Sequence, residues 1–208
     1  MRGQRPPPKA ETRNQEKAQG LIFVISGPSG SGKTTLAAQI LRDKVLSRKI
    51  RKSVSFTTRP RRSGEKDRRD YFFVSERWFR QRLAGKKILE WTNYLGYYYG
   101  TPKANVDRQI RRGRHILLCI DLKGARRLRQ LYRENAVTIF VLPPALEELR
   151  RRIKKRCCKT KEQEVRQRLN LAKKEMQQAG KFDYCLVNKE LEETVRQLKR
   201  IILNRMER

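Results

Sequence analysis

The chain has a single histidine, His115, and four cysteines, Cys119, Cys157, Cys158 and Cys185, in 208 residues. No pair of cysteines has C-x-x-C spacing, and a structural zinc site needs four ligands at recognisable intervals, so zinc is not expected. Adjacent Cys157 and Cys158 are poorly placed to bridge each other. The thiols read as ordinary reduced cysteines of a cytoplasmic protein. No apolar run approaches the roughly 18 residues that a membrane-spanning helix requires, and no membrane partner is expected. The N-terminus lacks the apolar core of a secretory signal, and Glu11, Glu16 and the absence of serine there speak against a transit peptide. Acids are also scarce. Asp and Glu number 21 against 52 Lys and Arg, a formal net charge of +31. Such a surface attracts polyanions in general. The cations are spread through almost every segment, so no dedicated nucleic-acid face and no specific nucleic-acid partner are expected.

What is present is an alternation of apolar runs and amphipathic stretches. Residues 1–19 hold Pro6-Pro7-Pro8, many charges and few large apolar side chains, and read as a disordered basic arm. Order begins with the apolar run Leu21 to Ile25. The continuous runs His115 to Ile120 and Val137 to Leu142 read as buried parallel strands, the first stopping at Asp121 and the second at Pro143-Pro144. Ser53 to Thr58 alternates like a strand, Arg59 to Glu65 reads as a loop, and Tyr71 to Val74 reads as a second short strand. Ser75 is placed to cap a helix carrying Trp78, Phe79 and Leu83, closed by Gly85. Ile88 to Trp91 and Tyr94 to Tyr99 read as short strands around a Gly96 turn, and Pro102 opens a helix that ends at Gly113. Gly124 to Leu131 reads as helix. A long basic helical region from Leu146 to Gln178 breaks near Cys157 to Lys161; Tyr184 to Val187 and Glu192 to Met206 supply the last strand and helix. The alternation predicts an α/β fold with a parallel sheet covered by helices on both faces.

Residues 27–34 read Gly-Pro-Ser-Gly-Ser-Gly-Lys-Thr, a complete G-x-x-x-x-G-K-[ST] motif between a strand and a helix. Glycines let backbone N–H groups curl around an anion, and the helix N-terminus adds its positive end. Lys33 can reach the outer phosphates of a nucleotide, and the Thr34 hydroxyl can bind Mg²⁺. A second constellation follows. Arg59 and Arg62 on one loop can fork onto a phosphate monoester, and the hydroxyls of Tyr71 and Tyr99 can add donors. A carboxylate such as Glu90 can accept from an N–H and an NH₂ side by side, the edge that guanine presents. These residues, with Ser55 and Thr101, suit a nucleoside monophosphate.

The segments Ser53 to Glu65, Asp67-x-x-Asp70-Tyr71-x-Phe73-Val74, Leu89-Glu90-Trp91, Gly96-x-Tyr98-Tyr99-Gly100-Thr101 and Ile120-Asp121-x-x-Gly124 closely resemble guanylate kinase. So do Pro143-Pro144, Leu146 to Leu149 and Val187-Asn188, and the likeness runs in order from about Leu21 to the C-terminus. The resemblance implies a P-loop NTPase-type core over residues 20–52, 114–145 and 181–208. It implies a small GMP-binding subdomain over about 53–102 and a helical lid over about 146–170. It implies that Gly27, Pro28, Ser29, Gly30, Ser31, Gly32, Lys33, Thr34 and Thr35 hold ATP, with Asn188 near the adenine. Ser55, Glu90, Thr101 and Asp121 would contact guanine, and Arg59, Arg62, Tyr71 and Tyr99 the GMP phosphate. Arg152, Arg156 and Arg168 would close on the transferring phosphoryl group. The implied activity is ATP-dependent phosphorylation of GMP or dGMP with Mg²⁺. The alternative is an inactive guanylate-kinase-like module that binds phosphopeptides. Monomer and homodimer both stay open. Three positions depart from the family pattern: Cys119 stands where an acid is usual, Tyr97 where asparagine is usual, and Lys189-Glu190 where an acidic pair is usual.

Overall fold

In the computed structural model, which describes residues 19–156 and 162–207, the backbone follows two sheets. The arm through residue 18 and the Cys157–Cys158 pair lie outside the described residues. The first sheet has five strands: β1 (Ile22–Ser26), β2 (Ile50–Lys52), β7 (His115–Cys119), β8 (Ala136–Leu142) and β9 (Tyr184–Val187), in the order β2-β7-β1-β8-β9. All of its pairings are parallel. The second has four short strands: β3 (Phe56–Thr57), β4 (Phe72–Phe73), β5 (Ile88–Tyr94) and β6 (Tyr97–Pro102), ordered β4-β3-β6-β5. It is mixed, with β3 parallel to β4 and antiparallel to β6.

Alternation along β1 explains why the parallel sheet needs cover on both faces. Phe23 and Ile25 point into one apolar cluster, which Leu36 and Ile40 of α1 (Lys33–Arg42) and Leu198 and Ile202 of α8 (Leu191–Met206) complete. Ile22 and Val24 point into the other, closed by Val106 and Ile110 of α4 (Lys103–Arg111) and Leu128 of α5 (Leu122–Tyr132). The sole histidine is structural: Nδ1 of His115 accepts the Leu21 N–H at 3.0 Å.

Several local expectations hold. Ser75 caps α3 (Glu76–Ala84), its hydroxyl accepting the Trp78 N–H at 3.2 Å. Gly113 takes φ +69 just beyond α4. Others are corrected. Ser53 to Thr58 is not one strand, because Ser53 to Ser55 carry the chain from the end of β2 in one sheet to β3 in the other. The basic segment before it hides the short α2 (Leu46–Lys49) and β2, each anchored by one buried residue, Leu46 or Ile50. Gly85 is the C-cap that ends α3, as expected, but at φ −75; the left-handed residue is the next one, Lys86, at φ +53. The β5–β6 hairpin turns on Leu95 and Gly96, both at positive φ, as a tight two-residue hairpin requires. The long basic region forms α6 (Leu146–Arg156) and α7 (Glu162–Met176), packed through Leu149, Ile153, Val165 and Ala172.

Candidate active site

The residues that follow β1 wrap the start of α1. Gly27, Gly30 and Gly32 adopt φ of +140, +91 and +100, conformations that side chains resist. A Cβ on Gly27 would stand 2.3 Å from the Val141 carbonyl, and one on Gly32 would stand 2.2 Å from Nδ2 of Asn188. Lys33 donates through Nζ to the Gly27 carbonyl at 2.6 Å and the Pro28 carbonyl at 2.9 Å, so the loop itself holds its ammonium. Asn188, just past β9, donates from Nδ2 to the Ser31 carbonyl at 2.8 Å and so braces the loop. Thr34 and Thr35 are exposed on the first turn of α1.

The loop opens into a cavity of about 1520 Å³ that reaches the second sheet. On the loop side it is lined by Ser29, Gly30, Gly32, Lys33, Thr34 and Thr35. On the sheet side it is lined by Ser55, Arg59, Arg62, Tyr71, Glu90 and Tyr99, with Asp121 between the two. Arg152 of α6 and Arg168 of α7 line the same space. Among the residues expected from sequence, Pro28 and Ser31 lie behind the lining, and Thr101 stands behind Glu90. Arg156 ends α6, but its side chain lies outside the described residues.

Arg59 is 8% exposed and fully engaged. Its Nη2 donates to both carboxylate oxygens of Glu65, at 2.8 and 3.0 Å, its Nη1 to the Pro60 carbonyl at 2.6 Å, and its Nε to the Tyr99 hydroxyl at 3.2 Å. Glu65 also accepts the Arg62 N–H at 2.9 Å, so this one carboxylate folds the loop that carries both arginines. Burial works to raise the Glu65 pKa, but the bonds from Arg59 and the Arg62 N–H hold it below the ordinary range. The Tyr71 and Tyr99 rings meet edge-on, with centroids 5.9 Å apart.

Glu90 is 6% exposed on β5. Its Oε1 accepts the Thr101 hydroxyl, and its Oε2 lies where a Cβ on Gly124 would be only 2.4 Å away. Gly124 is therefore small because Glu90 passes against it. Burial pushes the Glu90 pKa to about 7; the Thr101 bond opposes that rise and the charge of Asp121 adds to it. Asp121 caps α5, its Oδ1 accepting the Gly124 N–H at 2.8 Å. The acid at the end of β7 thus caps the helix and lines the cavity. Arg152 donates to Glu148 at 2.7 Å and to the Asn188 carbonyl at 3.4 Å, and Arg168 donates to Glu164 at 2.9 Å.

Three cavity residues escape sequence reasoning. Glu65 lies inside a motif but carries no obvious signal of its own. Tyr94 of β5 lines the cavity beside Ser29, and burial raises its phenol pKa against the pull of Arg168. Glu175 of α7 lines the cavity, and burial raises its pKa to about 7, with Lys33 opposing and Asp121 reinforcing. Cys119 lies at the loop, its thiol donating to the Lys33 carbonyl at 3.7 Å, and burial lifts its pKa to about 11.

Among the described residues no three His, Cys, Asp or Glu side chains form a metal cage. The exposed Thr34 hydroxyl, which lines the cavity at the start of α1, is an oxygen that could hold a hard cation carried on nucleotide phosphates. No helix among the described residues is long and apolar enough to cross a membrane.

The chain as a whole is similar to known proteins. The guanylate kinase family profile matches residues 19–205. The guanylate kinase of Caldanaerobacter subterraneus subsp. tengcongensis is 38% identical over 187 residues, 90% of this chain and 88% of the relative. That of Halalkalibacterium halodurans is 41% identical over 187 residues, 90% and 89% of the two chains. The crystal structure of guanylate kinase from Anaplasma phagocytophilum superposes with a TM-score of 0.76 at 34% identity, covering 92% of this chain and 89% of that one.

Proposed function

The chain belongs to the guanylate kinase family, and on that premise we propose that it transfers the γ-phosphoryl group of ATP to GMP or dGMP, giving ADP and GDP. The observation that carries this reading is the single cavity joining the phosphate loop to the Arg59–Glu90–Tyr99 pocket. Donor and acceptor sites open into one continuous cleft, which is what an in-line transfer between two anions needs.

We assign the residues as follows. Backbone N–H groups from Gly27 to Thr35 and the start of α1 take the ATP phosphates. Lys33, held by loop carbonyls in the free protein, turns to the outer phosphates. Asn188 fixes the loop from beneath. Glu90 and Asp121, with Ser55 and Thr101, read the guanine edge; Arg59, Arg62, Tyr71 and Tyr99 hold the GMP phosphate. Arg152, Arg156 and Arg168 bring positive charge to the transferring group. Mg²⁺, carried on the phosphates and held by Thr34, supplies charge neutralisation when bound. No general base is required, because the acceptor is already an anionic phosphate. Residues 53–102 then act as the GMP-binding part, and residues of about 146–170, across α6 and the first part of α7, as a lid that excludes water as a competing acceptor. Cys119 and Cys185 are free thiols, which suits the cytoplasm.

The intact lysine loop and the arginines on the lid disfavour a binding module without turnover. ADP formation measured with GMP, dGMP, AMP and no acceptor tests the assignment. Turnover confined to guanine monophosphates supports it. Tight phosphopeptide binding without turnover would reject it.

A further inference from the structure

β5 has two faces, and the reaction uses only one. Glu90, Thr92 and Tyr94 alternate into the nucleotide cavity, while Leu89 and Trp91 point to the opposite side. There they floor a separate groove of about 880 Å³ between β5 and α5. Trp91 is 44% exposed and tilted against Tyr98, with ring centroids 5.7 Å apart, so the indole is held in place while part of its surface meets solvent. Lys86, just past α3, stands on one wall, and Lys123 and Arg127, one turn apart on α5, stand on the other.

The charges in this groove are unbalanced. Lys86, Lys123 and Arg127 are exposed and make no side-chain hydrogen bond or ion pair among the described residues. Asp107 reaches the groove but is already held by Lys103 and by the Tyr132 hydroxyl, the latter at 2.8 Å. Glu90 touches the groove as a shared wall, with its Oε1 committed to Thr101.

We propose that this groove binds single-stranded RNA, with a base stacked on Trp91 and successive phosphates on Lys86, Lys123 and Arg127. An exposed indole flanked by free cations is the pairing that unstructured strands use: any base can stack, and the backbone follows the charge. A duplex keeps its bases inside and cannot offer one to Trp91. A mononucleotide would engage one wall; cations on both walls, in a chain of net charge +31, favour a ligand carrying many phosphates.

The test uses the full chain and fluorescently labelled oligo-U RNA of about 12 nucleotides, the length scale of a single-strand site. Trp91→Ala should weaken binding about tenfold, the effect of losing one stacked base, and Trp91→Phe should restore most of it. The pair Lys123→Glu with Arg127→Glu should weaken binding more than Lys44→Glu with Arg200→Glu, a matched charge reversal on the opposite face of the core sheet. Phosphotransfer without RNA serves as the folding check for both pairs. RNA should quench the indole emission of Trp78→Phe protein, in which Trp91 is the remaining tryptophan. Equal losses for the two pairs, or unchanged affinity in Trp91→Ala, would reduce the interaction to diffuse charge and overturn the proposal. So would equal competition by a duplex of the same length, or saturation by GTP with no gain in affinity as the strand lengthens.

Discussion

Replacing Glu90 by glutamine should make the protein more stable at high pH and worse at its work. In the folded chain burial lifts the Glu90 pKa from 4.5 to about 7. Below the lower value the carboxyl is neutral in both folded and unfolded states and the lift costs nothing. Above the upper value it is charged in both, and the folded state carries the whole penalty, about 3 kcal/mol. Glu90 therefore removes stability progressively as pH rises through that window. The glutamine of the variant keeps an acceptor for the Thr101 hydroxyl and never ionises. Thermal melts of both proteins at pH 5 and pH 8 isolate the effect, because the packing differences between the side chains are common to both conditions. Between pH 5, where part of the penalty is already present, and pH 8 the change is about 2.5 kcal/mol, so at about 2–4 °C per kcal/mol for a chain of this size the melting-temperature difference should move by about 5–10 °C in favour of the variant. Asp121→Asn, which keeps a competent helix cap, should shift the window to lower pH by removing a negative neighbour. The functional counterpart is that GMP needs the ionised carboxylate, so wild-type GMP affinity should fall as pH drops below about 7 and the variant should lose both that limb and its preference for guanine. Parallel melting curves across the pH range would refute the reasoning, since they would mean that Glu90 is hydrated in the folded state.

Lys33→Ala should abolish turnover while leaving GMP binding, followed by calorimetry, within a few-fold of wild type; an equal loss of GMP affinity would argue against separate donor and acceptor sites. Gly32→Ala must place a side chain at φ +100 and displace the Asn188 amide from the Ser31 carbonyl. It should cost roughly 2–4 kcal/mol in denaturant unfolding and remove ATP binding. Glu65→Ala frees Arg59 from its bidentate partner and should raise the KM for GMP about tenfold with a smaller change in the KM for ATP, read from initial rates.

What the sequence exposes and what it hides differ in physical kind. The phosphate loop is legible because its chemistry is local: the glycines, Lys33 and Thr34 are contiguous, and the flanking strand and helix announce themselves by periodicity. The buried parallel strands are legible because both faces are apolar, as the two clusters on either side of β1 require. Short β2, β3 and β4 are harder, since two or three residues carry no period and their pairing is long-range. Glu65, Tyr94 and Glu175 are hidden for another reason. Their importance comes from burial against elements distant in sequence, and in a chain this rich in charge a Lys-Lys-Glu stretch on α7 reads as a solvated face. Cys119 is visible as a departure from the family pattern, but its burial and its bond to the Lys33 carbonyl are not.

The distribution of the few acids explains how a strongly cationic chain keeps a selective site. Around the nucleotide cavity four of the cations are already held: Arg59 by Glu65, Arg152 by Glu148, Arg168 by Glu164, and Lys33 by the Gly27 and Pro28 carbonyls. Each holding contact fixes a side-chain direction before substrate arrives, so less entropy is lost on binding. Each also sets a threshold, because an incoming phosphate must replace the existing acceptor or share the cation with it. A stray anion with one or two oxygens gains little from that exchange, whereas on the proposed assignment a nucleotide gains it at several cations while its base satisfies Glu90. In the groove behind β5 the acids are committed elsewhere, Asp107 to Lys103 and the Tyr132 hydroxyl and Glu90 to Thr101, so Lys86, Lys123 and Arg127 meet an anion without that threshold. On the proposed readings, one chain presents two surfaces of like charge and unlike selectivity. The difference lies in where 21 carboxylates are placed among 52 basic side chains.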